Sequence, residues 1–538
     1  MKSSDTMNCW PKAARRYAFP ACRSRCFATV AEAACALLLY GCADATGATP
    51  AGGSTYDDVP SERAPFNRVS DQPQSNEPAN DEVEPEDGGQ NADAADAGSD
   101  GGDDAGSEPD GGTPPALTQF DDSFGADGRV LVPAPDGFRK FVPPRGCLIG
   151  ANGAVTISGS LADDAGTRQG VLVRVGDDGA LEPTFGAGGI VTENFGMPFG
   201  VEAAALAETA SGGLRVFGHA IDDEHGFFVA QRTGSGAADE SFGTNGLWRT
   251  ALDSETMRDG ASVLLRLPGA TDEVLVGGWN GDGSSRAAAA WKFTSSPNFG
   301  LAPGFGVGGS RSSLTPPGAH RATVRAGVVQ SSGAIVLSGE YQTDASPLFH
   351  AFVVRLLPAG QLDTTFGSAG WALADDGAES SAEALALLGD DRLVVAGYRR
   401  GALSLEPTLW RLSTDGTMDA TFGSSGRLTI PFGQDSGRIN DIQIDGNGRL
   451  LVAATLSSKA RDRLGIARLS VSGALDPTFF SDGFYIDDAA VSAFASHIVV
   501  DVQGRVIVTG ALSSGELLLW RLRELHPSPN ASELLPSY

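Results

Sequence analysis

Charged side chains of opposite sign recur along this chain at one separation. Arg174 and Glu182, Arg355 and Asp363, Arg411 and Asp419, and Arg468 and Asp476 each stand eight residues apart. A turn between the partners brings a guanidinium to a carboxylate, and such charge-assisted pairs are short and directional. Repeated along a chain, they either fix turns or line a ring that holds a ligand. The expected use is structural. The six histidines (His219, His225, His320, His350, His497 and His526) show no metal-binding spacing, and His-Glu-x-x-His, Gly-x-Ser-x-Gly and phosphate-loop motifs are missing. Asp441-Ile442-Gln443-Ile444-Asp445-Gly446-Asn447-Gly448 hints at a calcium loop, but lacks the alternating ligands and terminal Glu of an EF-hand. A plain turn is the expectation there. No catalytic residue, metal ligand or cofactor site is legible.

Binding candidates come from position instead. His219 and Glu340-Tyr341 follow short apolar runs, where a loop can face a binding surface, and Trp279-Asn280 follows Gly278 in the same way. Trp279 is the best candidate for stacking on a sugar. The other aromatics, including Trp248, Trp371 and Trp410, fall on or beside strand-like runs and are expected in the core.

The charged columns belong to a larger repeat. Its signature is an acid, any residue, Ser or Thr, Phe-Gly, two residues, and Gly. The anchoring aromatics are Phe124, Phe185, Phe242, Phe305, Phe366, Phe422 and Phe479, spaced by 61, 57, 63, 61, 56 and 57 residues. A near-constant period of this size signals an array of equivalent units. Asp followed by Ser/Thr bonds its own backbone in a turn, Gly permits positive φ, and the Phe can plug a seam between units. Eleven residues before most Phe residues stands an Arg: Arg174, Arg355, Arg411 and Arg468, with Gln231 in the third unit and Lys292, thirteen before its Phe, in the fourth. A last copy, Trp520-Arg521-Leu522, has no Phe-Gly after it.

A third landmark follows each Phe by 31 to 35 residues: Val155–Gly159, Leu214–Gly218, Val274–Gly277, Ile335–Gly339, Leu393–Gly397, Leu450–Ala454 and Val506–Gly510, strand-like runs ending in a small residue. Helix and strand are locally ambiguous at 203–207 and 382–387, which are rich in alanine; at 499–502 the β-branched residues favour strand. The economical unit is four short strands. Seven such units predict an all-β, seven-bladed β-propeller, which removes exposed sheet edges by closing on itself. An open β-solenoid is the competing fold. If blade boundaries are shifted from repeat boundaries, Arg521's strand and the first Phe-Gly strand complete one blade together; if not, each blade is contiguous.

Leu475-Asp476-Pro477-Thr478-Phe479, Leu362-Asp363-Thr364-Thr365-Phe366-Gly367 and the Gly-ended runs resemble the delta-60 repeat, named from proteins of deltaproteobacteria and myxobacteria. The resemblance covers about residues 117–523. It departs at Ala302 and Gly304 and at Phe480, which replaces a Gly. It implies a propeller-like array on exported proteins and transfers no catalytic residue.

The repeat region, 116–525, is preceded by two other segments. Residues 1–41 read as an export signal, with Lys2, Lys12, Arg15, Arg16, Arg23 and Arg25 before an apolar run; Met7 is a second possible start. Leu39-Tyr40-Gly41-Cys42 resembles a lipobox, making Cys42 the lipidated residue and the membrane anchor. An ordinary signal peptide with a coincidental Cys is the alternative. Residues 42–115 carry 18 acids and 2 arginines, most of the formal net charge of −28, and predict a disordered acidic linker. A chain this acidic disfavours nucleic acid as partner. Residues 526–538 read as a polar tail. Five of six cysteines lie in or beside the leader, so no disulfide framework is expected, and Cys147 reads as a buried small residue. The resulting expectation is a monomeric, non-catalytic binding module at the outer membrane or cell surface, with a glycan or envelope protein as ligand. The alternatives are a propeller enzyme (lyase, hydrolase or quinone-dependent dehydrogenase) and a purely structural envelope protein.

Overall fold

A Gly-rich chain with short β-branched and alanine runs between turns can bury its apolar faces only by stacking sheets. In a computed structural model, thirty strands and no helix are assigned among the described residues. These are residues 119–196, 200–209, 211–220, 227–250, 258–268, 273–281, 285–294, 299–311, 314–373, 377–433 and 435–523. The expected signal peptide, Cys42, the acidic linker and the tail 526–538 lie outside them.

The ambiguous alanine runs are strands. β7 (Val201–Glu208) heads a sheet with β8 (Leu214–Ala220), β9 (Phe227–Arg232) and β10 (Leu247–Thr250), in the order β10-β9-β8-β7. β20 (Ser380–Leu387) heads an equivalent one with β21 (Leu393–Arg400), β22 (Leu405–Leu412) and β23 (Arg427–Thr429). β24 (Ser436–Ile444), β25 (Leu450–Ser457), β26 (Asp462–Leu469) and β27 (Phe484–Ile486) repeat the pattern. In each, neighbouring strands are antiparallel. Alanine suits the first strand because both of its faces are covered by other sheets, which overrides its weak strand propensity.

Near the N-terminus, β3 (Gly146–Ile149) and β2 (Lys140–Phe141) both pair β4 (Val155–Ala162), followed by β5 (Arg168–Val175) and β6 (Ile190–Glu193). The largest sheet joins β11 (Arg258–Arg266), β12 (Val274–Gly281) and β13 (Arg286–Thr294) to β16 (Ala319–Val329), β17 (Ile335–Thr343), β18 (Ser346–Leu356) and β19 (Trp371–Leu373). Its two halves meet through a single parallel pairing, Arg286 with Arg321. Two short strands, β14 (Gly300–Leu301) and β15 (Ser310–Arg311), complete the first half on β13.

The remaining sheet mixes the two ends of the repeat region. β28 (Ala493–Val500), β29 (Val506–Leu512) and β30 (Leu517–Leu522) are followed, on the outer side of β30, by β1 (Arg129–Val132). Arg129 pairs with Trp520 and Val132 with Leu517. Of the two boundary arrangements open in the sequence, the sheets are therefore shifted from the repeats, and the first Phe-Gly strand and the strand of Arg521 lie side by side. First strands pack on one another in sequence: β3 on β7, β7 on β11, β11 on β16, β16 on β20, β20 on β24, β24 on β28, and β28 on β3.

The core lies between sheets. Phe422 sits with Ile442, Leu450 and Leu469 of the following unit, Phe366 with Val395, Trp410 and Leu412, and Phe124 with Val155, Val173 and Val175. Trp291, Trp410 and Trp520 are among the largest fully buried side chains. Each motif Phe thus seals one sheet against the next, and burying it is worth about 2–3 kcal/mol.

Candidate functional site

The Arg and acid columns meet. Arg355 Nε donates to Asp363 Oδ2 at 2.8 Å, Arg411 Nε to Asp419 Oδ2 at 2.8 Å, and Arg468 Nε to Asp476 Oδ2 at 2.9 Å. The other carboxylate oxygen accepts the hydroxyl and amide of the Ser/Thr two residues on, as with Thr365 at 2.6 and 3.1 Å. Each guanidinium lies over its own motif Phe, 4.6 Å for Arg355 on Phe366 and 4.7 Å for Arg411 on Phe422. It also reaches into the next unit: Arg355 Nη1 donates to the Thr414 carbonyl and Arg411 Nη1 to that of Val471, both at 2.6 Å. The turn itself needs positive φ at Gly367 (53°) and Gly370 (99°); Phe480, where Gly is replaced, adopts 48°. This latch ties units together and keeps its polar atoms occupied.

Departures from the pattern are compensated. Arg174 is 3.9 Å from Glu182 and bonds Thr156 instead. Gln231 Nε2 donates to Asp239, and Arg215 from the neighbouring strand donates to Gln231 Oε1 at 2.9 Å. In the unit containing Phe305, Ala302 cannot accept a guanidinium, and Lys292 pairs with Glu273 at 2.9 Å. Arg521 supplies the latch for the first motif, 400 residues away: its Nε donates to Asp121 Oδ2 at 2.8 Å, and it lies 4.5 Å over Phe124.

The hydroxyl bond of Thr421, then its amide and the Arg411 and Arg392 side chains, hold the Asp419 carboxyl far below the usual range despite burial. Thr365 does the same for Asp363. At Asp121 and Asp476 burial is the largest influence and opposes the shift, but Ser123 with Arg521, and Thr478 with Arg468, outweigh it. Because these carboxyls titrate lower folded than unfolded, the unfolded chain binds more protons at acid pH. Their stabilisation is full above the unfolded value of about 3.9 and is lost as pH falls through the folded values. Thermal unfolding should therefore show a Tm level above about pH 5 and falling steeply below about pH 4, with a shallower fall in Asp419→Asn. Arg411→Ala should lower Tm at neutral pH and leave any ligand affinity intact; an unchanged Tm would remove the latch from the account of stability.

A second recurring feature was not read from the sequence. Each first strand carries a β-bulge, visible as a register shift at Ala204, Ser262, Arg325, Glu383, Asn440 and Ser496. In the first unit Arg145 and Gly146 both face Ser158. A bulge re-aims its side chain and bends the strand. The signal was present: six of these residues stand fourteen positions before the small residue that ends the apolar run, and Ser262 fifteen before Gly277. At Gly218, Gly339, Gly397 and Gly510 the carbonyl two residues before the bulge presses on the glycine. A Cβ on Gly339 would lie 1.9 Å from the Thr323 oxygen, and one on Gly397 2.0 Å from that of Ser381.

The second strands run past these glycines, because glycine there marks a close approach and not a stop. His219 (β8), Trp279 and Asn280 (β12), and Glu340 and Tyr341 (β17) consequently lie on strands, not in the loops expected for them. Trp279 is 5% exposed, and the Arg286 guanidinium sits 4.4 Å over its ring. Asn280 is buried, and Tyr341 packs on His350 at 5.5 Å. His219 lies beside Glu202, which pairs with Arg145 at 2.8 Å and Arg168 at 3.3 Å. Burial draws the His219 imidazole below its ordinary range; it would raise Glu202, but Arg145, His219 and Arg168 outweigh it.

Glu340, 2% exposed, lines a small cavity. It shares it with Arg286, Arg321, Thr323, Arg325 and Phe349. Arg325, the bulge residue, pairs with Glu340 at 2.7 Å and approaches Glu383 of the next sheet at 4.0 Å. Arg286 stands apart from Arg321 and Arg325 in the sequence because β13 and β16 belong to different units, and the pairing Arg286↔Arg321 brings them together. Elsewhere, Asp445 accepts the amides of Asn447 and Arg449 and the Arg449 side chain, so the calcium-like stretch is a turn closed by an arginine. Cys147 is half-buried on β3, and burial and the Asp441 carboxylate push its thiol well up, away from nucleophile character. Among the described residues no group of three acidic, His or Cys side chains is placed to hold a metal.

Three segments, residues 330–366, 388–422 and 446–479, match the family described as Domain of unknown function (DUF5122) beta-propeller. Each ends on a motif aromatic, Phe366, Phe422 or Phe479, and the match supports a beta-propeller repeat. No curated protein matches the chain. Among solved structures, an ulvan lyase of a new polysaccharide lyase family, bound to -[GlcA(1-4)Rha3S]-, is 11% identical over 73% of this chain and 98% of its own, with a TM-score of 0.43. A Hadza microbial sialidase is 11% identical over 66% and 73%, with a TM-score of 0.38. The GH93 alpha-L-arabinofuranosidase of Fusarium graminearum, with arabinobiose, is 12% identical over 59% and 91%, with a TM-score of 0.36. At these scores the likeness bears on neither substrate nor activity.

Proposed function

We propose that the repeat region is a closed, seven-bladed β-propeller with four strands to a blade, and that it is a binding module carried on an exported lipoprotein. Closure is supported by β1 lying on β30 and by the unbroken order in which first strands pack, from β3 round to β28 and back. The lipid anchor at Cys42 and the acidic tether of residues 42–115 would hold the propeller away from an outer membrane and present it to a glycan or an envelope protein.

One observation carries the binding reading: the chain repeats its latch and varies its bulges. The latch residues recur in kind from unit to unit and bond one another. The equivalent bulge positions hold Arg145, Ala204, Ser262, Arg325, Glu383, Asn440 and Ser496, chemically different side chains on one set of neighbouring strands. A scaffold that repeats beneath a surface that varies is how a rigid fold presents one asymmetric site.

The test is a thermal-shift screen of the purified full chain against envelope and extracellular polysaccharides, simple sugars, calcium, magnesium and quinones. A ligand at a hundred times its Kd adds about 2.7 kcal/mol to the stability. A saccharide that raises Tm and is recovered unchanged supports the module. A saccharide that is cleaved, or a quinone that shifts Tm and is reduced, replaces it with an enzyme.

A further inference from the structure

Where the sheet of β3, β4 and β5 meets the sheet of β7 and β8, an imidazole stands beside a buried ion-pair cluster. Glu202 of β7 is 4% exposed and takes two arginines from the preceding sheet. Arg145 Nε lies 2.8 Å from its Oε1, and Arg168 Nη1 3.3 Å from its Oε2. Ser160 Oγ of β4 adds a hydrogen bond to the Val201 carbonyl at 3.0 Å, so several points of the first sheet are tied to the start of β7. His219 of β8 stands directly across from Glu202. The equivalent pairs in later units, Gly260 with Trp279 and Ser381 with Tyr398, hold nothing that titrates near neutral pH. Among the described residues, the charged groups acting on His219 are Glu202 from β7, Arg145 beside β3 and Arg168 of β5. β9 sets Phe227 opposite it, and β11, which packs on β8, carries Arg258 and Asp259 at its start.

A neutral imidazole costs this cluster little, since one ring nitrogen is then only an acceptor. A protonated one is different. Nδ1 is shielded from solvent and has no hydrogen-bond partner among the described residues, so its N–H would be buried without an acceptor. Both carboxylate oxygens of Glu202 already face guanidinium groups. Two arginines against one carboxylate leave the cluster with a positive charge in excess, and an imidazolium adds another. Protonation therefore has to draw Glu202 from an arginine or drive the ring out of the seam, and either movement parts the sheets there. We propose that His219 is a proton-operated release for this seam, holding β7 against the first sheet at neutral pH and letting it open locally in mild acid.

The direction of the effect follows from the surroundings. Burial, the largest influence, draws the imidazole below its ordinary range; Glu202 opposes it, and Arg145 and Arg168 add to it. The folded chain then binds fewer protons than the unfolded one once pH falls below the unfolded value of about 6.5. The seam is unaffected above that pH, and its stability declines as pH falls from there through the folded value. This window lies above the one in which the Asp latches fail. One group in so long a folded region hardly moves Tm, so the readout has to be local.

The test is hydrogen exchange, read by mass spectrometry on the purified full chain at about pH 7.5 and about pH 5.5 and corrected for the intrinsic pH dependence of exchange. Amides of β7 should open roughly fivefold more often at the lower pH, while those of β20 and β24 stay level. His219→Gln removes the titrating group and should abolish the response, whereas His225→Gln and Asp259→Asn should keep it. Equal protection of β7 at both pH values in the parent chain overturns the proposal without any variant. A response that survives in His219→Gln overturns it too, and its loss in His225→Gln or Asp259→Asn would identify the group responsible. A His219→Gln chain already open at neutral pH also overturns it, because the ring then holds the seam by packing and not by its charge state.

Discussion

Arg521→Ala should destabilise the folded chain by about 3 kcal/mol, and the loss should appear at both ends of the repeat region at once. The side chain is 1% exposed and bonds Asp121, Ser123, and the carbonyl and carboxylate of Asp177. Removing one partner of a buried pair costs about 3–5 kcal/mol because the other charge is left without compensation. Asp121 keeps its two bonds to Ser123, and Asp177 keeps Arg505 at 2.6 Å, which places the cost at the lower end. For a folded region of this length each kcal/mol moves Tm by about 1 °C. The diagnostic readout is therefore hydrogen exchange. Amides of β1, the edge strand that pairs with β30 from Arg129 to Val132, should lose protection in Arg521→Ala and keep it in Arg411→Ala, where the same latch lies inside a continuous stretch. Equal protection in the two variants would show that the ends are held by apolar packing alone.

Gly397→Ala should cost about 3 kcal/mol although it adds one methyl group to a strand, where alanine ordinarily serves better than glycine. The added Cβ would stand 2.0 Å from the Ser381 carbonyl oxygen, and the neighbour is backbone, which cannot rotate aside. Gly339 and Gly510 meet Thr323 and Phe494 in the same way, at 1.9 and 2.1 Å. Relief requires flattening the bulge at Glu383, so the variant should also loosen the approach of Arg325 to that residue. Ala454 occupies the equivalent position naturally, and Ala454→Gly should cost only about 1 kcal/mol, the loss of a buried methyl group. Chemical denaturation with an unchanged slope checks both. A neutral Gly397→Ala would mean that the bulges relax freely and do not hold their side chains in place.

Much of this architecture is local and was legible for that reason. An acid with Ser/Thr two residues on closes its own turn, a Phe three residues after the acid has one seam to fill, and an Arg eight residues before the acid is within reach across one hairpin. Those relations depend on a few dihedral angles, so Asp363, Phe366 and Arg355 announce their geometry wherever they recur. The unit count and the strand after each Phe-Gly follow from the same spacing. The glycine ending each apolar run was visible, but its meaning was not. At Gly218, Gly339, Gly397 and Gly510 it marks a neighbour's carbonyl, and the second strands run on past the small residue to include His219, Trp279 and Glu340.

What tertiary structure alone decided is everything that depends on which strands become neighbours. Arg521 reaches Asp121 across 400 residues because closing the last sheet needs a fourth strand and the first Phe-Gly strand is the one left over. Arg286 and Arg321 meet because two sheets touch at one residue pair, which no periodicity encodes. Trp279, exposed by position in the chain, has an arginine from the next strand over its ring. Local turn chemistry acts over a few residues and repeats with the sequence, whereas the cavity is made of side chains that the repeat leaves free to differ, and their meeting is a property of the packed sheets.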